Sequence, residues 1–177
     1  GTKGEDLTVR YLEDRFKALG LKPGNPDGTY RQRVPLVGIT GTEARPFVVT
    51  NGSRTQSFRW SEDVVPWTAH VAETAGIEQS DLVFAGYGVE APEFGWNDFK
   101  DVDVTGKTII VLVNDPAVAD PADASRLDPK VFGGPAMTYY GRWTYKLEQA
   151  ARKGAAGILI VHETGPAGYP FSVVQGN

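Results

Sequence analysis

The side chains that could do chemistry in this 177-residue chain are few. It has two histidines, His70 and His162, and no cysteine. A thiolate nucleophile, a Cys-ligated zinc and a disulfide are therefore all excluded. His162-Glu163 superficially matches the start of an HExxH motif, which needs a second histidine one helical turn on, on the same face. Pro166 stands at that position, so His162 is expected to be a histidine at a strand end and His70 a surface histidine. There is no Gly-x-Ser-x-Gly elbow, and no serine is flagged beside either imidazole. Carboxylates come in pairs: Asp101 with Asp103, Glu90 with Glu93, Asp120 with Asp123. General acid–base work needs two carboxyls of unequal pKa in a dry cleft, whereas acids in Pro- and Gly-rich loops are mostly solvated. Asp115, Asp120 and Asp123 could offer oxygen ligands to calcium, although their spacing matches no EF-hand loop. Gly86-Tyr87-Gly88 lacks both the third glycine and the following helix of a dinucleotide fingerprint. Its glycines are expected to let the chain turn sharply at a strand end.

Aromatic residues carry more information. Phe94, Trp96 and Phe99 fall in one loop; Tyr139, Tyr140, Trp143 and Tyr145 gather around Arg142 at a helix start. Such groups form either a local core beneath a loop or a contact surface, since Tyr, Trp and Arg are enriched at interfaces. The local core is the leading expectation, and both roles can hold for different members.

The elements that position these residues follow from spacing. Residues 2–20 predict an amphipathic helix: Thr2 and Glu5 have capping-box spacing, Leu7, Tyr11, Leu12, Phe16 and Leu19 recur at helical intervals, and Gly20 supplies a left-handed stop. Its apolar face requires a partner surface. A turn-rich connection spans 22–35. Strands are expected over 47–50 and 56–60 around Asn51-Gly52, then loop with short strand over 61–80. A short apolar run, 82–87, precedes a Pro-, Gly- and aromatic-rich loop, 91–99. Residues 108–113 read as a buried strand, 115–136 as a long surface loop, 141–153 as a helix with Trp143, Leu147, Ala150 and Ala151 inward, and 156–161 as a strand. Strand, helix-bearing connection, strand makes the last two strands candidates for parallel neighbours.

Composition bounds the rest. Hydrophobic residues make up 41% and charged residues 23%, ordinary for a soluble globular protein. The net charge is −4, with 18 Lys and Arg scattered among 22 Asp and Glu, which argues against a nucleic-acid partner. The longest apolar run, Ile109 to Val113, is far short of the roughly 20 residues of a membrane helix.

The stretch LVFAGYGVEAPEFGWNDFKDVDVTGKTIIVLVNDP, from Leu82 to Pro116, and MTYYGRWTYKLEQAARKGAAGILIVHE, from Met137 to Glu163, resemble the protease-associated (PA) domain inserted in peptidases of the zinc aminopeptidase superfamily, which also holds the transferrin-receptor-like proteins. Gly86-Tyr87-Gly88, Pro92, Trp96-Asn97-Asp98-Phe99, Asp103, Gly106-Lys107 and Lys153-Gly154-Ala155 fall in the family's order, over about half the chain. Residues 1–24 are similar to the first helix of the peptidase domain. The resemblance implies an α/β chain: a swivelling β/β/α PA-type domain, a mixed sheet or open barrel with flanking helices, over residues 36–177, with residues 1–35 as the helix and linker of the peptidase domain. It implies that the catalytic domain is absent. The family's two zinc ions are bound after the insertion, so no ligand transfers to this chain. This chain is then expected to be non-catalytic and without its own cofactor, zinc belonging to the parent enzyme.

The expected role is shaping substrate access, or protein contacts, within an exported (periplasmic or extracellular) aminopeptidase. Expected partners are the catalytic domain of the same polypeptide and a peptide or protein substrate. Trp96, Tyr139, Tyr140, Arg142 and Trp143 are the candidate contact residues. A free-standing PA-type binding module and an autonomous hydrolase using loop carboxylates are the alternatives.

Overall fold

A computed structural model describes residues 2–41 and 45–176. The chain divides into two compact units, residues 1–42 and 43–177. The first holds helix α1, Lys3–Ala18. Thr2 is its N-cap: the hydroxyl accepts a hydrogen bond from the Glu5 N–H at 3.2 Å, satisfying one of the orphan amides of the first turn. The chain leaves the helix through Gly20, at φ 72°, a conformation that costs glycine little. No residue of α1 is buried. Leu7, Tyr11, Leu12, Phe16 and Leu19 are all exposed, so the expected apolar face exists and nothing within this unit covers it. Within this unit Glu13 accepts from Lys17 at 2.6 Å and from Arg31 at 2.7 Å, which holds its carboxyl below the usual range. The Tyr30 hydroxyl donates to the Leu21 carbonyl at 2.6 Å.

The second unit is mixed α/β. It begins with an antiparallel hairpin, β1 (Phe47–Asn51) and β2 (Arg54–Phe58). The two-residue loop is Gly52-Ser53 rather than a turn centred on Asn51-Gly52. Gly52 takes a positive φ of 59° and Ser53 does not, the pattern of a type II′ turn, so Asn51 stays in the strand opposite Arg54. Residues 61–80 carry no strand; one isolated bridge, Trp60 to Val64, is all that forms there.

The centre of the unit is a three-stranded parallel sheet in the order β3-β6-β9, made of Leu82–Phe84, Thr108–Leu112 and Gly157–Val161. The expected parallel pairing of the last two strands is present. Between β3 and β6 the chain makes the two-residue strands β4 (Glu90–Ala91) and β5 (Trp96–Asn97), joined by a 3-10 turn at Pro92–Phe94. The presumed long loop after β6 is partly ordered as a hairpin, β7 (Ala119–Asp120) with β8 (Asp123–Leu127), whose polar Asp-Ala-Ser-Arg composition gives no strand signal. A second 3-10 turn, Tyr139–Gly141, leads into helix α2, Trp143–Arg152. Two short helices follow β9: α3 (Thr164–Ala167) and α4 (Phe171–Gln175). The described strands form small sheets and no closed barrel.

Val83, Ile109, Val111, Ile158 and Ile160 alternate onto one face of the parallel sheet, where they meet Ala150 of α2 together with Ala85, Phe99 and Val104. Alternation sends Phe84, Ile110 and Leu159, aligned across the three strands, to the other face. The buried side of α2 is Tyr145, Lys146, Gln149 and Ala150. This corrects the expected inner face: Trp143 and Leu147 are only half-buried and Ala151 is exposed. Two polar residues take the inner positions because each finds partners there.

Candidate functional site

The carboxyl ends of β3 and β6 converge on one buried cation. Lys146 has no exposed surface. Its Nζ donates to the Tyr87 carbonyl at 2.6 Å, the Asn114 carbonyl at 3.0 Å and the Tyr140 carbonyl at 3.4 Å. An ammonium has three protons, so all three are spent on backbone. Burial pushes its pKa down to about 8, and the charges of Asp115 and Asp98 pull it back toward the ammonium form.

Each carboxylate grips a turn from the amide side. Asp98 Oδ2 accepts from the N–H groups of Tyr87 and Val89, both at 3.0 Å. Gly86 is forced to be glycine at this point: it has φ 51°, and a Cβ there would lie 2.7 Å from Asp98 Oδ1. The glycine turn of the sequence is thus shaped by Asp98. Asp115 accepts from the Thr138 N–H at 2.6 Å and its hydroxyl at 3.1 Å; burial raises its pKa first, and those hydrogen bonds lower it. Gly141 packs against it: a Cβ there would come within 2.7 Å of both Asp115 Oδ1 and Met137 Cγ. Gly141→Ala is expected to cost about 1–3 kcal/mol by overpacking, read as a lower melting temperature; an unchanged one would mean that Asp115 moves aside freely.

The aromatic residues gather beside this centre. Phe132 is buried and meets Phe94, Trp96 and Tyr140 edge-on at centroid distances of 4.7, 5.7 and 5.7 Å. Tyr140 meets Tyr145 at 4.9 Å and Tyr139 meets Tyr145 at 5.9 Å. Val89 and Ala91 complete the buried set, with Trp96 and Tyr140 partly buried against it. The Tyr140 hydroxyl donates to Glu93 at 2.5 Å, which lifts its pKa to about 12 and lowers that of Glu93. Tyr139 donates to Glu148 at 2.9 Å, raising its own pKa. Tyr145 donates to the Glu90 carbonyl at 3.0 Å and accepts from Gln149 at 2.9 Å.

Of the five predicted contact residues, Trp96 and Tyr140 therefore belong to the local core. Tyr139 and Arg142 are exposed and Trp143 is half-buried. The indole Nε1 of Trp96 is buried with no partner among the described residues.

The other candidates stay apart. Among the described residues no three His, Asp or Glu side chains are grouped to hold a metal ion. Asp120 and Asp123 cap their own turns, accepting from the N–H groups of Ala122 and Ser125, while Asp115 faces Thr138. His162 follows β9 as expected, its ring packed edge-on against Tyr169 and Phe171. His70 is exposed. No helix among the described residues is long and apolar enough to cross a membrane. Of the three charged residues, Asp115 enters the sequence reading only as a calcium ligand and Asp98 only within the Trp96–Phe99 stretch, while Lys146 is missed; a lysine one position from the predicted inner face of α2 is the available signal.

No family model, curated protein or solved structure matches the chain.

Proposed function

We propose that this chain is the non-catalytic, PA-type front part of an exported zinc aminopeptidase, and that its exposed Tyr139 and Arg142, with half-buried Trp143, contact the substrate or the catalytic domain. The observation that carries the reading is α1. Its Leu7, Tyr11 and Leu19 are 57%, 62% and 69% exposed, and an apolar helical stripe of this kind is ordinarily packed on another surface. In the proposed parent enzyme that surface is the catalytic domain, to which residues 1–35 belong. Trp96 and Tyr140 shape the surface from beneath, and a PA-type swivelling fold is part of the same reading.

Two measurements test it. The chain is incubated with a panel of aminoacyl chromogenic substrates, with and without zinc. No turnover and no zinc uptake are expected; zinc-dependent turnover would overturn the reading. In the parent enzyme, Arg142→Glu is expected to raise KM several-fold with kcat nearly unchanged, the pattern of lost uniform binding. An unchanged KM removes Arg142 from the contact surface.

A further inference from the structure

Lys146 does more than fill space. A buried ion is costly, and a well-packed apolar replacement for a buried ion group is often neutral or stabilising. What an ammonium adds is a directional hold on several acceptors at once. Here the acceptors come from three segments: the turn after β3 (Tyr87), the loop after β6 (Asn114) and the 3-10 turn before α2 (Tyr140). Asp98 holds the first of these by its amides and Asp115 holds Thr138, which accepts from Tyr140 N–H at 3.3 Å as the cap of the third. Carbonyls are taken by the cation and amides by the carboxylates, so backbone dipoles are fixed from both ends.

We propose that Lys146 is the positioning residue of the contact surface: by holding the carbonyls of Tyr87, Asn114 and Tyr140 together, it sets where Tyr139 and Arg142 are presented and ties that segment to the loop bearing Trp96. The link to Trp96 runs through Asp98, two residues on in the chain, and through Phe132, which touches both Trp96 and Tyr140. The functional meaning of the proposal rests on the reading of this surface as a contact site; the latch itself does not.

The test is amide hydrogen exchange on the 177-residue chain and its Lys146→Met variant, which keeps the length of the side chain and removes the donors. Protection is expected to fall at least tenfold at the amides of Tyr87, Gly88, Val89, Thr138, Gly141 and Arg142. The amides of β6 and β9, which exchange through global unfolding, should lose only what the drop in global stability takes, and the six at least tenfold more than that. A loss no greater at the six than over the sheet, or no loss at all, overturns the proposal, because a purely structural lysine predicts the first and an idle one the second. If the variant does not fold, the wild-type chain decides. Nitrogen-detected NMR of the Lys146 ammonium should show slowly exchanging protons, with couplings from the nitrogen across its hydrogen bonds to the carbonyl carbons of Tyr87 and Asn114. A rapidly exchanging, uncoupled ammonium overturns the latch. Both readouts belong to this chain alone, so they fail separately from the KM test of Arg142→Glu, which addresses the contact surface.

Discussion

Replacing Lys146 with Met is expected to cost about 3–5 kcal/mol at pH 7, because three carbonyls and two carboxylates lose their cation, and to cost more, not less, as the pH is raised. The sign follows from the direction of the shift. Burial lowers the folded pKa of Lys146 to about 8 from an ordinary 10.5. Below about 8 the amine is charged in both states. Between about 8 and 10.5 the unfolded chain binds the proton and the folded chain has released it, so the folded state gains with pH. The Met variant lacks this gain. Its deficit should therefore widen by roughly 2–3 kcal/mol between pH 7 and pH 10, at ~1.4 kcal/mol per pKa unit. Tyr139, Tyr140 and Tyr145 also have raised values and weaken the fold in alkali, but they do so in both proteins and cancel in the difference. Urea unfolding of both proteins at pH 7, 8, 9 and 10 makes the measurement. A deficit that stays constant would show an ammonium with its ordinary affinity for protons. One that shrinks would mean that carbonyls and carboxylates outweigh burial.

Phe132→Ala should lower stability by about 3–5 kcal/mol, a large share of what a domain of this size has. Phe132 is 1% exposed and is the ring on which Phe94, Trp96 and Tyr140 converge. Near-ultraviolet circular dichroism from the cluster should collapse with it. The backbone adds a sharper arm. Phe132 has φ 50°, a left-handed conformation that costs an L-residue roughly 1–2 kcal/mol and is rare for a bulky side chain. Gly is usually worse than Ala in ordered structure. At this position the order should invert, with Phe132→Gly no less stable than Phe132→Ala. If Gly is clearly the worse of the two, residue 132 is not held at positive φ and the strain is absent.

What could be read ahead of the structure was what local spacing encodes. Thr2, Glu5 and the Leu7–Leu19 stripe specify α1 without help from anything distant. Ile109–Val113 and Ile158–Val161 are apolar enough to be strands, and the helix-bearing connection between them makes them candidates for the parallel pairing that forms. What stayed hidden is non-local. Lys146 meets acceptors 59 and 32 residues away, and no window on the sequence contains them. A polar residue on a helix reads as outward by default, so the spacing points to an inner face around Trp143 and Leu147 instead of Tyr145, Lys146 and Gln149. The β7–β8 hairpin escaped for a different reason: its Asp, Ala, Ser and Arg residues have little strand preference, so the pairing comes from the turn at Pro121-Ala122 and not from the strands. The aromatic set was legible as a cluster, but Phe132, its hub, lies in a Gly- and Pro-rich stretch that reads as loop.

The order β3-β6-β9 also has a consequence in time. β6 is the middle strand, yet its second neighbour begins 49 residues later, from Thr108 to Gly157. A ribosome adding about 5–20 residues per second needs several seconds to supply it. During that interval the nascent chain carries Thr-Ile-Ile-Val-Leu with one open edge, and until α2 (Trp143–Arg152) has been made there is no lysine to close the loops above. Unpaired apolar edges of this kind are where misassembly starts. The sheet can be finished only after α2 has been made, so the helix bearing Lys146 is present when the last strand docks. Synthesis order thereby places the latch ahead of the final closure of the sheet.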